Sequence, residues 1–303
     1  MISLFPDFKK INLADWKEVV EFTKEYPAYS SFNFSSMWAW DVDQSTKLSK
    51  LNDNLIILVD DIDSQEYYCS FIGKVNLKET AIDLMDFLKN KSVNALLKHM
   101  PEEVCSKIKS PEFEITLDES SCEHIVLVSN SVNLDDCVKD FRYNCKQFNK
   151  NHGTGIQLQF NLLAKCNKAE LEELFILWAE NKKLNYLLLK EYKAFERYFQ
   201  LLQANIYVLM LYDKNKIIGF QTIEILSNEY ATCEFFKADV SYKGIYQFME
   251  WKTCEYLQEK NVKYLNLQED LGLPGLKRSK IKANPSFELK NYNIKSVDSS
   301  IKI

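Results

Sequence analysis

The second half of the chain carries an order of segments that few folds accommodate. Residues 156 to 162 read as a strand, two amphipathic helices follow, and three strands then come in succession before another helix and another strand. The first helix is opened by Asn167 and Glu170 and repeats apolar residues at Leu171, Leu174, Phe175 and Trp178. The second carries Tyr192, Phe195, Phe199 and Leu202 on one face. The strands run from Ile206 to Tyr212, Ile217 to Leu226 and Tyr230 to Phe236, with a turn over Asp213 to Lys216 between the first two. After Lys243 and Gly244 a helix extends to about Lys260, and a strand from Tyr264 to Leu267 leads into a polar loop. A last strand, Phe287 to Tyr292, closes the pattern. The spacing predicts a mixed α/β sheet of the α+β kind.

The first half also mixes strands and helices. Asn12 and Asp15 form a capping pattern ahead of a helix that aligns Trp16, Val19 and Val20. The aromatic and serine run Tyr29 to Trp40 reads as core packing with hydroxyl caps. Strands are expected at Leu55 to Val59, Tyr67 to Ile72, Phe113 to Leu117 and His124 to Val128, and helices at Ala81 to Leu88 and Glu102 to Ile108. A polar stretch, Ser129 to Asp136, then precedes a helix around Cys137 to Lys150 that ends at Gly153. The expected division is therefore residues 1–135 and 136–303, each long enough to bury its own core.

Charge and cysteine usage narrow the function classes. A formal net charge of -5 gives no generic attraction to nucleic acid or anionic membrane, so a polyanionic partner requires a local basic patch. Eight cysteines form no CxxC pair and read as reduced, packed thiols, which points to the cytoplasm. Three histidines give no reason to expect a metal site. Neither a signal pattern nor an apolar run of spanning length is present, so export and integral membrane association are not expected.

The chemistry concentrates in YLNLQEDLGLPGLKRSK, Tyr264 to Lys280, where a short strand opens into paired acids, two glycines, a proline and bases. A loop at the carboxyl end of a strand beside a topological break is a frequent ligand site. Glu269 and Asp270 can accept a proton or bind an amine, and Lys277, Arg278 and Lys280 can hold a phosphate or carboxylate. The same residues also suit a structured turn in which Gly272 and Gly275 supply positive φ and the charges are solvated. Both readings stand on the residues alone.

The order β-α-α-β-β-β-α-β-loop-β is similar to the GNAT acyltransferase fold. That resemblance implies that the fourth and fifth strands of the sheet splay apart around an extended donor, while the next helix offers its N-terminus to phosphates. Here that helix opens at SYKGIYQF, so Lys243 and Gly244 become candidate donor-binding residues. A single glycine is a sparse loop for coenzyme A.

Longer motifs sharpen the likeness. FKKINLADW, SSFNFSSMWAW, KDFRYNCKQFNKNHG, EFFKAD and LNLQEDLGLPGLKRSK with Asn284 and Pro285 together resemble the phosphatidylglycerol lysyltransferase C-terminal-like family over nearly the whole chain. The resemblance implies two GNAT-like domains in tandem. It also implies a transfer reaction, since the best understood members move an amino acid from aminoacyl-tRNA to a lipid hydroxyl. Arg142 and Phe148 match the boundary motif, Lys237 and Ala238 the pair after the fourth strand, and Glu269, Asp270, Gly272, Gly275, Leu276 and Lys280 the closing motif. Tyr143 and Asn144 depart from the family's usual asparagine and histidine, and Lys277-Arg278 from its usual arginine-lysine order. The membrane-spanning half of the lipid-modifying members is not part of this sequence. On this likeness Asp270 and Glu269 are the expected base or ammonium partner, and Arg142, Lys237, Lys243, Gly244 and Lys280 the expected donor-binding set. The expected donors are aminoacyl-tRNA or acyl-CoA, with the acceptor left open. A non-catalytic ligand-binding protein on the same tandem fold is the alternative.

Overall fold

The computed structural model describes residues 1–61, 66–91, 95–227 and 229–297. They form two compact units, one of residues 1–123 with the segment from 289 onward and one of residues 124–288. The division thus lies ahead of the expected 135/136 boundary, and the last segment of the chain returns to the first unit.

In chain order the elements are β1 (Ser3–Leu4), β2 (Lys9–Lys10), α1 (Trp16–Thr23), α2 (Phe34–Trp40), β3 (Thr46–Leu51), β4 (Asn54–Asp61), β5 (Glu66–Ile72), α3 (Leu77–Lys89), β6 (Leu97–Pro101), α4 (Glu102–Cys105) and β7 (Phe113–Leu117). The second unit follows with β8 (Glu123–Leu127), α5 (Val128–Val132), α6 (Lys139–His152), β9 (Ile156–Leu162), α7 (Lys168–Asn181), α8 (Lys190–Tyr198), β10 (Ile206–Asp213), β11 (Lys216–Ile225) and β12 (Tyr230–Ala238). It continues through α9 (Ile245–Glu259), β13 (Tyr264–Glu269), α10 (Pro274–Lys282) and β14 (Phe287–Leu289), after which β15 (Asn291–Ser296) runs in the first sheet.

The first unit is a mixed sheet in the order β1-β3-β4-β5-β6-β15-β7, with β2 on β3. Its core forms where α3 lays Ala81, Leu84, Met85 and Leu88 against Ile56, Leu58, Cys69 and Phe71. The capping pattern at Asn12 is present: Asn12 Oδ1 accepts from the Ala14 amide at 3.0 Å, and Asp15 accepts from the Asn12 amide at 3.0 Å. The aromatic run packs inward as expected, with Tyr29, Phe32, Phe34 and Met37 buried and Asn33 capping α2 through the Ser36 amide.

The second unit is a seven-stranded sheet in the order β14-β8-β13-β12-β11-β10-β9. Strands β9 to β12 pair antiparallel in succession, and β13, reached through α9, pairs parallel with β12. One face carries α9, whose Ile245, Phe248, Met249 and Leu257 share a core with Leu209, Ile223, Ala231 and Leu265. The other face carries α7 and α8, with Phe195 and Tyr198 against Phe235 and Phe195 against Phe220. Helix α6 lies on α9, its Phe148 ring 4.6 Å from Phe248. That approach requires Gly244, which has φ +88° and where a Cβ would stand 2.5 Å from the Asn144 carbonyl oxygen.

Several expectations about single elements change. The helix read over Glu102 to Ile108 stops at Cys105. The strand expected over Phe287 to Tyr292 is two strands serving different sheets. The end of the polar loop is the helix α10, entered through Pro274 in its first turn, where a missing amide hydrogen costs nothing.

Candidate active site

Parallel strands β12 and β13 pair only at Tyr230/Tyr264, Ala231/Leu265 and Thr232/Asn266, and then part. The cause is local and can be followed residue by residue. Asn266 is fully buried, and its side-chain oxygen accepts from the Gln268 amide at 2.6 Å. Gln268 takes φ +66°, which bends β13 out of the ladder. The carbonyls of Leu267 and Glu269 both accept from the Lys280 ammonium on α10, the second at 2.5 Å. Strand β12 is irregular at the same level, where its register against β11 shifts between Gln221 and Ile223 and the Phe235 amide donates to Thr222 Oγ1 at 2.9 Å. Across the parting, Gln268 Nε2 donates to Glu234 at 2.7 Å. An opening bounded by strand edges, a carboxylate and an amide can receive an extended acyl group and a polar head.

Asp270 stands just past the parting, 2% exposed. Its Oδ1 accepts from the Gly272 amide at 2.9 Å and its Oδ2 meets His124 Nε2 on β8 at 3.1 Å, so both oxygens are engaged within the protein. An ionised carboxylate only accepts, so Nε2 is the donating nitrogen. Glu288 lies 3.5 Å from the other ring nitrogen of His124. Glu269 is partly buried at the end of β13.

The expected cations divide between the two faces of the sheet. Lys237 is on the α7/α8 face, 5% exposed, with its ammonium 2.6 Å from Glu191 and 3.6 Å from the centre of the Trp178 ring. Burial lowers its pKa, against the opposing pull of Glu191. Arg142 is on α6, which packs on the α9 side, and donates to the Asp135 carbonyl at 2.9 Å. Lys243 is exposed in the turn before α9, and Gly244 faces α6. Lys280 alone among these cations touches the parted strand. Among the described residues no cluster of histidine, cysteine and carboxylate side chains could hold a metal ion.

Glu234 and Gln268, which meet across the parting, were not singled out by sequence reasoning, although both lie inside the motifs EFFKAD and LNLQED. Alternation along a strand gave no sign of them. The signal was the asparagine two residues before Gln268, whose side chain competes for backbone amides.

A family model described as phosphatidylglycerol lysyltransferase, C-terminal, matches residues 23–295. No curated protein matches the chain. A conserved protein of unknown function from Bacteroides thetaiotaomicron is similar in structure with a TM-score of 0.83 at 20% identity, over 98% of this chain and 100% of that one. The L-PGS structure from Bacillus licheniformis is similar with a TM-score of 0.66 at 14% identity, over 99% and 95% of the two chains. The C-terminal domain of a putative lysylphosphatidylglycerol synthetase from Agrobacterium fabrum gives a TM-score of 0.66 at 12% identity, over 93% and 92%.

Proposed function

The chain belongs to the phosphatidylglycerol lysyltransferase C-terminal family, and from that premise we propose that it is an acyl- or aminoacyltransferase that takes its donor in the parting between β12 and β13. The parting itself carries the reading. Two parallel strands in the middle of a sheet give up pairing at a cost, and here the backbone groups released on β13 are held by Asn266 and Lys280 and not by β12. The carbonyl of a donor would enter where β13 turns away from β12.

In the transfer, an acceptor oxygen or nitrogen forms a bond to the donor's carbonyl carbon while the bond from that carbon to the leaving oxygen or sulfur breaks. The acceptor's proton passes to the leaving atom. Backbone amides along the parting strands suit the oxyanion that forms between these events. Glu234, bonded to Gln268 across the parting, takes the role of base, and Glu269 at the end of β13 is the partner for a donor ammonium. Lys243, exposed at the start of α9, faces donor phosphates together with that helix end. Asp270 and Lys280 position the loop and the strand. Arg142 and Lys237, each satisfied by a partner within the unit, belong to the scaffold.

Thermal melting in the presence of coenzyme A, acyl-CoA or aminoacyl-tRNA tests the reading. A donor at a hundred times its Kd stabilises the fold by about 2.7 kcal/mol, which moves the transition by several degrees. One of the three is expected to do so, and Glu234→Gln is expected to keep that shift while lowering turnover by roughly 100- to 10,000-fold. A shift with no loss of turnover removes Glu234 from the chemistry; no shift with any donor defeats the proposal.

A further inference from the structure

The strand at one border of the second sheet carries no charge. Strand β9, IQLQFNL, ends the order of that sheet: it pairs with β10, and among the described residues no strand pairs with its other edge. An edge strand turns the amides and carbonyls of alternate residues away from the sheet, and proteins commonly guard such a row by keeping the strand short or by charging it. The other borders here follow that rule. Strands β1 and β2 have two residues each, and β2 is Lys9-Lys10. Strand β14 has three residues and includes Glu288, and β7 carries Glu114 between flanking Glu112 and Asp118. Strand β9 has seven residues and neither guard. From Asn151 to Ala164 the sequence holds no Asp, Glu, Lys or Arg, although these types make up 27% of the chain. Gln157, Leu158 and Gln159 are exposed.

The partner that fits this edge is the strand itself. Ile156 and Phe160 pack on the α9 side, with Phe160 stacked on Tyr256 at 4.1 Å between ring centres, and Leu158 stands in the same row, 37% exposed. Gln157, Gln159 and Asn161 form the opposite row. Antiparallel pairing of β9 with itself about Gln159 sets Ile156 of each copy opposite Leu162 of the other, Leu158 opposite Phe160 and Gln157 opposite Asn161, with Gln159 meeting its own copy on the two-fold axis. Apolar side chains then meet apolar ones on one face and amides meet amides on the other, and an amide both donates and accepts. A slip of one residue would set every apolar side chain against an amide, so the register is specified. We propose that the chain forms a two-fold symmetric dimer in which β9 pairs antiparallel with β9 of a second copy, joining two second-unit sheets into one. Both open edges are consumed and the short, charged β14 is left at each end, so association stops at two copies. The proposal does not depend on the transferase reading.

Sedimentation velocity decides it. The parent chain is expected to sediment at twice its own mass at micromolar concentration. Gln159→Lys sets two ammonium groups against each other on the axis, and Gln159→Glu two carboxylates, so each should weaken dimerisation roughly five- to tenfold. An equimolar mixture of the two variants should regain the dimer, because opposite charges then meet. Gln159 is exposed, and melting curves confirm that each variant folds. Hydrogen exchange on the parent needs no variant: the β9 amides that face away from β10 should be protected. A parent chain that stays monomeric up to about 100 μM, a dimer that neither substitution weakens, or free exchange of those amides overturns the proposal. A monomer that adds an extended peptide of unrelated sequence along β9 overturns it in favour of a peptide-binding edge.

Discussion

In the reading we propose, Asp270 holds the site together and does not enter its chemistry. Its oxygens meet the Gly272 amide and His124, and these contacts fix the course of the chain between β13 and α10. Asp270→Ala leaves the buried His124 without its acceptor and releases the Gly272 amide, and is expected to cost about 1 to 3 kcal/mol in urea unfolding. Asp270→Asn retains an acceptor for the Gly272 amide and should cost less. Equal stability of all three proteins would return Asp270 to the list of reacting groups. The acidic pair was visible in the sequence as chemistry, yet which carboxylate faces inward was not. Glu269 and Asp270 are neighbours, yet Glu269 is only partly buried at the strand end while Asp270 is buried against His124 of β8. Glu234 and Gln268 escaped notice too, since a positive φ at a glutamine leaves no mark in composition.

Among the elements, α9 carries the most instructive conflict. Its inner side meets the sheet, while Glu250, 8% exposed, points toward α5 and α6 among Cys137, Cys145 and Cys254, with Oε1 lacking a hydrogen-bond partner. Burial in these surroundings raises its pKa from 4.5 to about 8. Because the native carboxyl keeps its proton where the unfolded one has lost it, this group makes stability fall as pH rises from 4.5 to about 8, and adds no slope beyond. Glu250→Gln, which cannot ionise, should flatten that slope in urea titrations at about pH 5 and about pH 8. An unchanged slope would mean that the carboxyl reaches water. Element order in this unit was legible because apolar periodicity changes cleanly from helical to strand spacing after Ala204 and back again after Gly244. Helix α10 was not, since its residues bury no apolar stripe and its only signal was Pro274.

At the scale of the molecule, the two mixed sheets confirm the α/β reading, while the path of the last residues was beyond a reading of local pattern. Strand pairing across nearly two hundred residues has no signature in either partner. β15 sits inside the first sheet, antiparallel to β6 on one side and to β7 on the other. A chain ending after Lys290 lacks that strand, and hydrogen exchange is expected to find the amides of β6 and β7 unprotected. Unaltered protection there would show that the sheet closes without β15. The nested arrangement also bears on how the polypeptide is made. On a ribosome, residues 1–123 emerge first but cannot complete their sheet until Asn291 to Ser296 have followed, so the unit begun earliest is finished last. In the interval β6 and β7 each present an open edge for the whole time it takes to synthesise residues 124–288, and a nascent chain in that state is a natural client for a chaperone.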